Sequence, residues 1–543
     1  MFRGGGQIVA PDEEMASAPN EFITRQAQDF SDTYEWGSSW NLDCASTVWI
    51  PPLPTGVPNI IPGTIATFDS GLDASPLVTA TVKADPGGLG SQIHLRLDDI
   101  TMNSAPDFER VFSAPPELTG LEGDPFCRHP TVEVAYWRVL LFPPQPQEGR
   151  LMVYVVWSQL SKADDTENWD LYGMHYRFAV HPPPVGIDFD PIEEFGPYLV
   201  PGTQSWIPTW GDELEPDLAL MANGDLLLAY METKWSVFHQ ANIMAIRADW
   251  NEMNPDLPPV MQTRYTVASS YNNYPPARNL APSVDVGRVN AFGPMNQYTA
   301  VCVWFMDFYG NPYPPVTPYY VCGAHWNALS DQPPGQFDRF TLTTGEGIAD
   351  VLPKVDIAPP PNFPQPGSPD PFREAVIAWT HCDYSWEQDP PYTRHFSNPR
   401  IQMTVTPLLT APFYEVPSVN GIAPDIACYE RSSPDQDQWF AVSFYKGSDD
   451  GEMPWDWENT SIRSYSYDEL FGIEPQYTTS IDYEPAFWEL EAPFTGSALS
   501  LRDPSQDDVG NPPEPINDVF GASMIQGTEE CTSVWVSEGS IYP

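Results

Sequence analysis

Five stretches of this sequence combine carboxylates with aromatic side chains. They are Ser161 to Asp170, with Asp164, Asp165, Glu167 and Trp169; Glu232 to Trp235; Asp307 to Tyr313, with Phe308 and Tyr309; Asp383 to Asp389, with Trp386 and Glu387; and Asp449 to Glu458, with Asp450, Glu452, Trp455 and Trp457. A flat aromatic face stacks on a sugar ring, and a carboxylate accepts hydrogen bonds from its hydroxyls. Trp169, Trp235, Tyr309, Trp386, Trp455 and Trp457 are therefore the candidate ligand-binding residues. The competing reading is that these aromatics fold back and plug the ends of the strands they follow. Oxygen-rich loops of this kind can also hold calcium. Asp449, Asp450 and Glu452 form one candidate metal set, and Asp503, Asp507 and Asp508, close to Gly510, form another. Neither has EF-hand spacing, so a solvated acidic turn is the alternative.

Hydrolysis of a glycosidic bond needs two carboxylates about 5–9 Å apart. With 74 acidic residues in the chain, spacing singles out no such pair, and no catalytic residue is assigned. His381 and Asp383 follow the apolar run that ends at Trp379 and could form an acid/base pair; a structural histidine is the alternative. There is no GxSxG, P-loop, strand-linked GxGxxG or HExxH motif, so serine-hydrolase, nucleotide and zinc-protease chemistry has no support.

The chain has 543 residues and a formal charge of −50 from 74 acids and 24 bases. Duplex DNA and anionic membranes are poor partners for that field, whereas neutral polymers, cations and basic proteins fit it. Nineteen Trp, 25 Tyr and 27 Phe supply apolar surface for a large core. Seven cysteines occur without a CxxC pair. Cys302 and Cys322 lie symmetrically about Pro312 in a turn-like Gly310-Asn311-Pro312 stretch, which makes them the candidate disulfide, with buried thiols as the alternative. No run of 18 apolar residues is present, and residues 1 to 30 lack the apolar core of a leader in this numbering. A possible disulfide nevertheless favours an extracellular or cell-surface location.

What must position these loops is a repeat. Pro130-Thr-Val-Glu-Val, Pro216-Asp-Leu-Ala-Leu, Pro282-Ser-Val-Asp-Val, Pro353-Lys-Val-Asp-Ile and Pro424-Asp-Ile-Ala-Cys alternate with period two and begin 86, 66, 71 and 71 residues apart. A weaker copy starts at Pro485. Each is followed by a continuous apolar strand ending in an aromatic: Val153–Trp157, Leu226–Tyr230, Ala300–Trp304, Ala375–Trp379 and Phe440–Phe444. Such runs fit strands covered on both faces. Two further strand-like stretches fill most repeats and make a four-stranded unit, the blade of a β-propeller. The expected fold is all-β: one propeller of seven, alternatively six, four-stranded blades over residues 39–543. Residues 1–38 form an acidic N-terminal extension, with the tail at Thr532–Ser537 completing either count. In a propeller, the loops between second and third strands gather at one end, which brings the acidic aromatic stretches together.

The Pro-x-Val-x-Val strand followed by an apolar strand ending in Trp resembles the sialidase-like and BNR-like propeller repeats of bacterial surface and secreted proteins, over roughly residues 125–490. Sialidases add an Asp box, Ser-x-Asp-x-Gly-x-Thr-Trp. The nearest stretch here, Ser448-Asp-Asp450-Gly451-Glu-Met-Pro-Trp455, displaces the Gly, replaces the Thr and has no second copy. The resemblance implies the fold more than the activity. The expected role is an exported, non-enzymatic binding or structural protein that contacts glycan or protein through its acidic, aromatic loops. A glycan-active hydrolase or lyase with carboxylates at the central channel is the alternative. The extension could in addition add a strand to a neighbouring copy and build a polymer.

Overall fold

The computed structural model describes the backbone of the strands named below and of short connections at 90, 113–126, 162, 200–203, 269–270, 342–343, 347 and 421. Side chains are described chiefly within 78–404, with a few more at 421–442. The described chain is nearly all β, with a single helical turn at Pro116–Thr119.

Antiparallel strands follow one another in groups. The first group is Leu42–Ser46, Pro76–Ala84, Ser91–Asp99 and Phe108–Phe112, with Glu35–Trp36 also paired to the second strand. The second is Cys127–Val139, Glu148–Ser161, Asn168–His181 and Gly186–Leu199. The third is Trp210–Leu220, Leu226–Lys234, Gln240–Asp249 and Val260–Ala268, and the fourth Ala277–Arg288, Tyr298–Phe308, Tyr319–Trp326 and Asp338–Thr341. The fifth is Ile348–Ile357, Glu374–Trp386, Arg394–Pro407 and Tyr414–Asn420, and the sixth Ile422–Cys428, Gln438–Gly447, Trp457–Asp468 and Gly472–Asp482. The tail makes a smaller sheet of its own, Ser497–Arg502, Glu530–Ser537 and Ser540–Tyr542. Within the extension, Gln7–Ile8 pairs with Ile481 and Asp482 at the outer edge of the sixth group.

The proline signature marks a bulge. In the opening strand of groups two to five, pairing with the second strand skips between Arg128 and Thr131, Leu214 and Asp217, Leu280 and Ser283, and Val351 and Lys354. The residue just before each proline, His129, Glu215, Ala281 and Leu352, takes a positive φ of 49–54°. Proline is tolerated in a strand at such a bulge because the ladder needs no N–H there.

The apolar second strands are buried on both sides because the groups stack face to face. Val153, Val155 and Trp157 pack against Val78, Ile93 and Leu95 of the first group. Met152, Tyr154 and Val156, from the opposite face of the same strand, pack with Leu226, Leu228 and Ile246 of the third. Leu227 and Ala229 meet Ala300, Cys302 and Trp304 of the fourth, whose Val301 and Val303 meet Ala375 and Ile377 of the fifth. Period-two geometry thus sends alternate residues of one continuous apolar run to two neighbours.

The opening strands also touch one another in chain order from the second group to the sixth. Ser497–Arg502 touches the sixth group's opening strand and Leu42–Ser46, which touches the second group's. Side chains bridge these contacts. The residue after Pro130, Pro216 and Pro282 accepts a backbone N–H from the next group: Leu218 N–H donates to Thr131 Oγ1 at 3.2 Å, Val284 N–H to Asp217 Oδ2 at 2.7 Å, and Val355 N–H to Ser283 Oγ at 3.3 Å. The residue before the proline does the same, with Glu215 N–H donating to His129 Nδ1 at 3.3 Å and Ala281 N–H to Glu215 Oε2 at 2.7 Å.

The expected Cys302–Cys322 disulfide is not formed; both are free, buried thiols. The hairpin pairs Cys302 with Ala324 and Trp304 with Cys322, so its centre lies one residue beyond Pro312 and the thiols sit two places out of register. Cys127 and Cys382 are free and buried as well.

Candidate functional site: a buried carboxylate cluster between two sheets

Counting three residues back from Pro130, Pro216, Pro282 and Pro353 gives Cys127, Glu213, Asn279 and Asp350. Each sits beside the aromatic that ends the following apolar run. In the fourth group the Trp304 indole N–H donates to Asn279 Oδ1 at 3.0 Å, and Asn279 Nδ2 donates to the Ala241 carbonyl at 3.0 Å. In the fifth, Trp379 Nε1 donates to Asp350 Oδ1 at 2.9 Å. In the second, Trp157 Nε1 donates at 3.0 Å to Gln159 Oε1, which also takes the Cys127 thiol at 3.4 Å. This recurring arrangement is structural: it satisfies a buried indole N–H.

The third group departs from it. Tyr230 replaces the tryptophan, Glu213 stands in the place three residues before the proline, and Glu232 stands two places after the aromatic. Arg264 of the fourth strand pairs with Glu232, and its guanidinium lies 5.9 Å from the centre of the Tyr230 ring. From the second group comes Asp170, whose two oxygens accept the Ser161 hydroxyl and, at 3.3 Å, the Asn168 amide. Asp170, Glu213 and Glu232 are only 2, 1 and 3% exposed. Burial, followed by the charge of Asp170 and a side-chain hydrogen bond with it, holds the Glu213 carboxyl well above its usual range.

This cluster lies at the end of the sheets where second strands pass to third strands. Trp169, half-buried, precedes Asp170 in the same regularly paired strand, so its side chain points to the opposite face; its backbone N–H donates to Asp212 Oδ1 at 3.0 Å, and the Arg128 guanidinium lies 5.1 Å from its ring centre. Asp212 is anchored in turn by Thr233, its own N–H donating to the Thr233 hydroxyl oxygen at 2.9 Å. Burial raises the Asp212 carboxyl, against the hydrogen bonds from Trp169 and Thr233.

Several expected loop residues prove to be strand. Trp169 and Asp170 lie near the start of a third strand that begins at Asn168, Glu232 lies within a second strand that ends at Lys234, and Asp383 to Trp386 finish another, because pairing runs on past the apolar core. Trp386 pairs with Arg394, and Trp457 opens a third strand opposite Gly447; their side chains lie outside the described residues. Trp235, Tyr309 and Trp455 lie outside them entirely, as do both expected calcium sets, Asp449, Asp450 and Glu452, and Asp503, Asp507 and Asp508. Among the described residues no group of three or more His, Cys, Asp or Glu is arranged to hold a metal ion, and no helix is long and apolar enough to cross a membrane.

The expected His381–Asp383 pair is corrected. His381 Nδ1 lies 2.6 Å from Asp350 Oδ1, whereas Asp383 accepts the Asn398 amide at 2.6 Å and stands 4.0 Å from Arg400. Regular alternation would put residues 381 and 383 on one face of the strand; the skipped pairing between them breaks that alternation and separates the two side chains. Glu213, Arg264 and Asp350 were not singled out by sequence reasoning. Their signal was positional: two of the three stand three residues before a signature proline.

No protein-family model and no curated protein matches the chain. Solved structures similar to it include an α-L-arabinanase of Penicillium chrysogenum complexed with arabinobiose (13% identity, TM-score 0.33, covering 78% of this chain and 94% of that one). Another is a protein of unknown function from Dyadobacter fermentans (9%, TM-score 0.34, 84% and 98%). A third is an exo-inulinase from Aspergillus awamori (7%, TM-score 0.25, 95% and 98%). Likenesses at this level leave the chemistry to be argued from the chain's own residues.

Proposed function

We propose that the chain is a seven-bladed β-propeller, acting outside the cell or at its surface, that binds a glycan at the end where the second and third blades meet. Support for the ring comes from the succession of opening-strand contacts, which returns from Ser497–Arg502 to Leu42–Ser46. The observation that carries the binding reading is the departure of the third group from its repeat. That place is filled in the second, fourth and fifth groups by a capped tryptophan, whereas here three carboxylates and an arginine are gathered at the end of the sheets where Trp169, the one expected aromatic whose side chain is described, is partly exposed. Trp169 has the shape and partial exposure to stack on a sugar, with the Arg128 guanidinium available to its hydroxyls.

A glycan array followed by calorimetry on any hit tests this reading. Trp169→Ala is expected to weaken binding about tenfold, the loss of one stacking contact of roughly 1.4 kcal/mol. Absence of binding to every glycan overturns it, and capture of a protein ligand by the same face would replace the sugar. A second reading, glycan cleavage, is favoured by one observation: a carboxyl raised by burial, as Glu213 is, suits a general acid. Fragments released from a bound glycan, and their loss in Glu213→Gln, would replace the binding-only reading with this one.

A further inference from the structure

We propose that Asp170 and Glu213 hold one shared proton across the junction between the second and third groups, and that losing it as pH rises loosens that junction. The inference concerns the joint itself and stands whether or not a sugar binds beside it. Asp170 belongs to the third strand of one group and Glu213 to the opening strand of the next, so any bond between them is a bond between groups.

The charges around the pair decide its state. Asp170 is already met by the Ser161 hydroxyl and the Asn168 amide, both neutral donors. Glu232, from the second strand of the third group, has the Arg264 guanidinium. Tyr230, whose phenol burial keeps neutral, adds no charge. Asp212, next to Glu213, turns its carboxylate to Trp169 and Thr233, and Cys127 and Tyr172, which lie near Asp170, are neutral with their titrations pushed upward by burial. Three nearly inaccessible carboxyls therefore face one cation. Glu213 has Asp170 as its hydrogen-bond partner, and its Oε2 has none among the described residues. Two carboxyls bond to each other only when one is protonated. Ionising both would leave two negative charges in contact in a medium that screens them poorly.

Glu213→Gln keeps the shape and a hydrogen-bond donor while removing the proton that can be lost. Thermal unfolding of wild type and variant, followed from about pH 6 to about pH 9, reads the joint directly. The wild-type midpoint is expected to fall relative to the variant by about 2 °C or more across that range. Glu215, in the same strand, titrates in both proteins and cancels in the difference. Parallel curves would overturn the proposal. Should the variant fail to fold, amide exchange in the wild type replaces it. Protection in Asn168–His181 and Trp210–Leu220 should drop with rising pH more than in Ala277–Arg288 and Ile348–Ile357, after correction for intrinsic exchange. A uniform change, or none, overturns the proposal.

Discussion

Asp217→Ala is the sharpest probe of how the repeat holds its groups together. Asp217 Oδ2 accepts the Val284 N–H across the junction of the third and fourth groups at 2.7 Å, and Val284 is 3% exposed. Removing the carboxylate deletes a hydrogen bond to a charged group, about 1.5–3 kcal/mol, and strands a buried N–H that no solvent reaches. A loss of about 2 kcal/mol is expected. Thr131→Val, at the equivalent place one junction earlier, removes a longer and neutral bond of 3.2 Å and should cost about 1 kcal/mol. Asp217→Asn keeps an oxygen acceptor and should fall below both. Because stacked units need not unfold together, the assay pairs urea unfolding with amide exchange resolved by peptide. In Asp217→Ala, a peptide containing Val284 should lose protection about 30-fold, the equivalent of 2 kcal/mol. A change below about 0.5 kcal/mol in both measurements would refute the reasoning. So would an equal loss of protection between the second and third groups.

Two further substitutions test neighbouring positions of the signature. Burial, opposed by the N–H of Ala281, raises the Glu215 carboxyl from 4.5 to about 7. The folded protein therefore keeps this proton when the unfolded chain has lost it, and stability falls as pH rises from about 4.5 to about 7, by at most about 3 kcal/mol. Glu215→Gln should flatten that segment of a pH–stability curve; an unchanged profile would remove Glu215 as its source. Ala281 has a φ of 49°, where a side chain is strained and glycine is not, so Ala281→Gly should raise the urea midpoint by the equivalent of up to about 1 kcal/mol. Ala300→Gly, in the fully buried second strand, should lower it by about 1 kcal/mol, and equal losses at both sites would contradict the strain argument.

The sequence made the strands legible because the two periodicities of the repeat correspond to two physical demands. Alternation after the proline belongs to a strand with one face toward a neighbouring sheet. The unbroken runs at Val153–Trp157 and Ala300–Trp304 belong to strands with sheets on both sides, as their burial bears out. The meaning of the proline itself was not legible. Its bulge depends on pairing with the next strand, and a left-handed Glu215 or Leu352 carries no local mark comparable to glycine. The site was half legible for the same reason. Asp170 and Glu232 could be placed at one end by counting strands, whereas Arg264 reaches them from a fourth strand whose spacing varies from repeat to repeat. The hairpin around Pro312 shows how small the margin is: moving its centre by one residue shifts every cross-strand partner by two, enough to separate Cys302 from Cys322.

The repeat also supplies an internal control for function. At equivalent places the second, fourth and fifth groups bury Trp157, Trp304 and Trp379 with a single side-chain acceptor for the indole, and nothing more is needed for the sheets to stack. A buried network of Asp170, Glu213, Glu232 and Arg264 is a costly replacement, because desolvating ions commonly outweighs their attraction and apolar substitutes of similar size are often more stable. Stability alone therefore does not account for these residues. The fifth group offers a milder departure, in which Asp350 holds both the Trp379 indole and His381. It keeps the tryptophan and its cap, and adds a single ionisable neighbour. Of the second to fifth groups, the third abandons the shared solution, and it does so at the end where Trp169 is partly exposed. The proposed glycan site rests on that coincidence rather than on the abundance of acids in the loops, since acidity is everywhere in this chain.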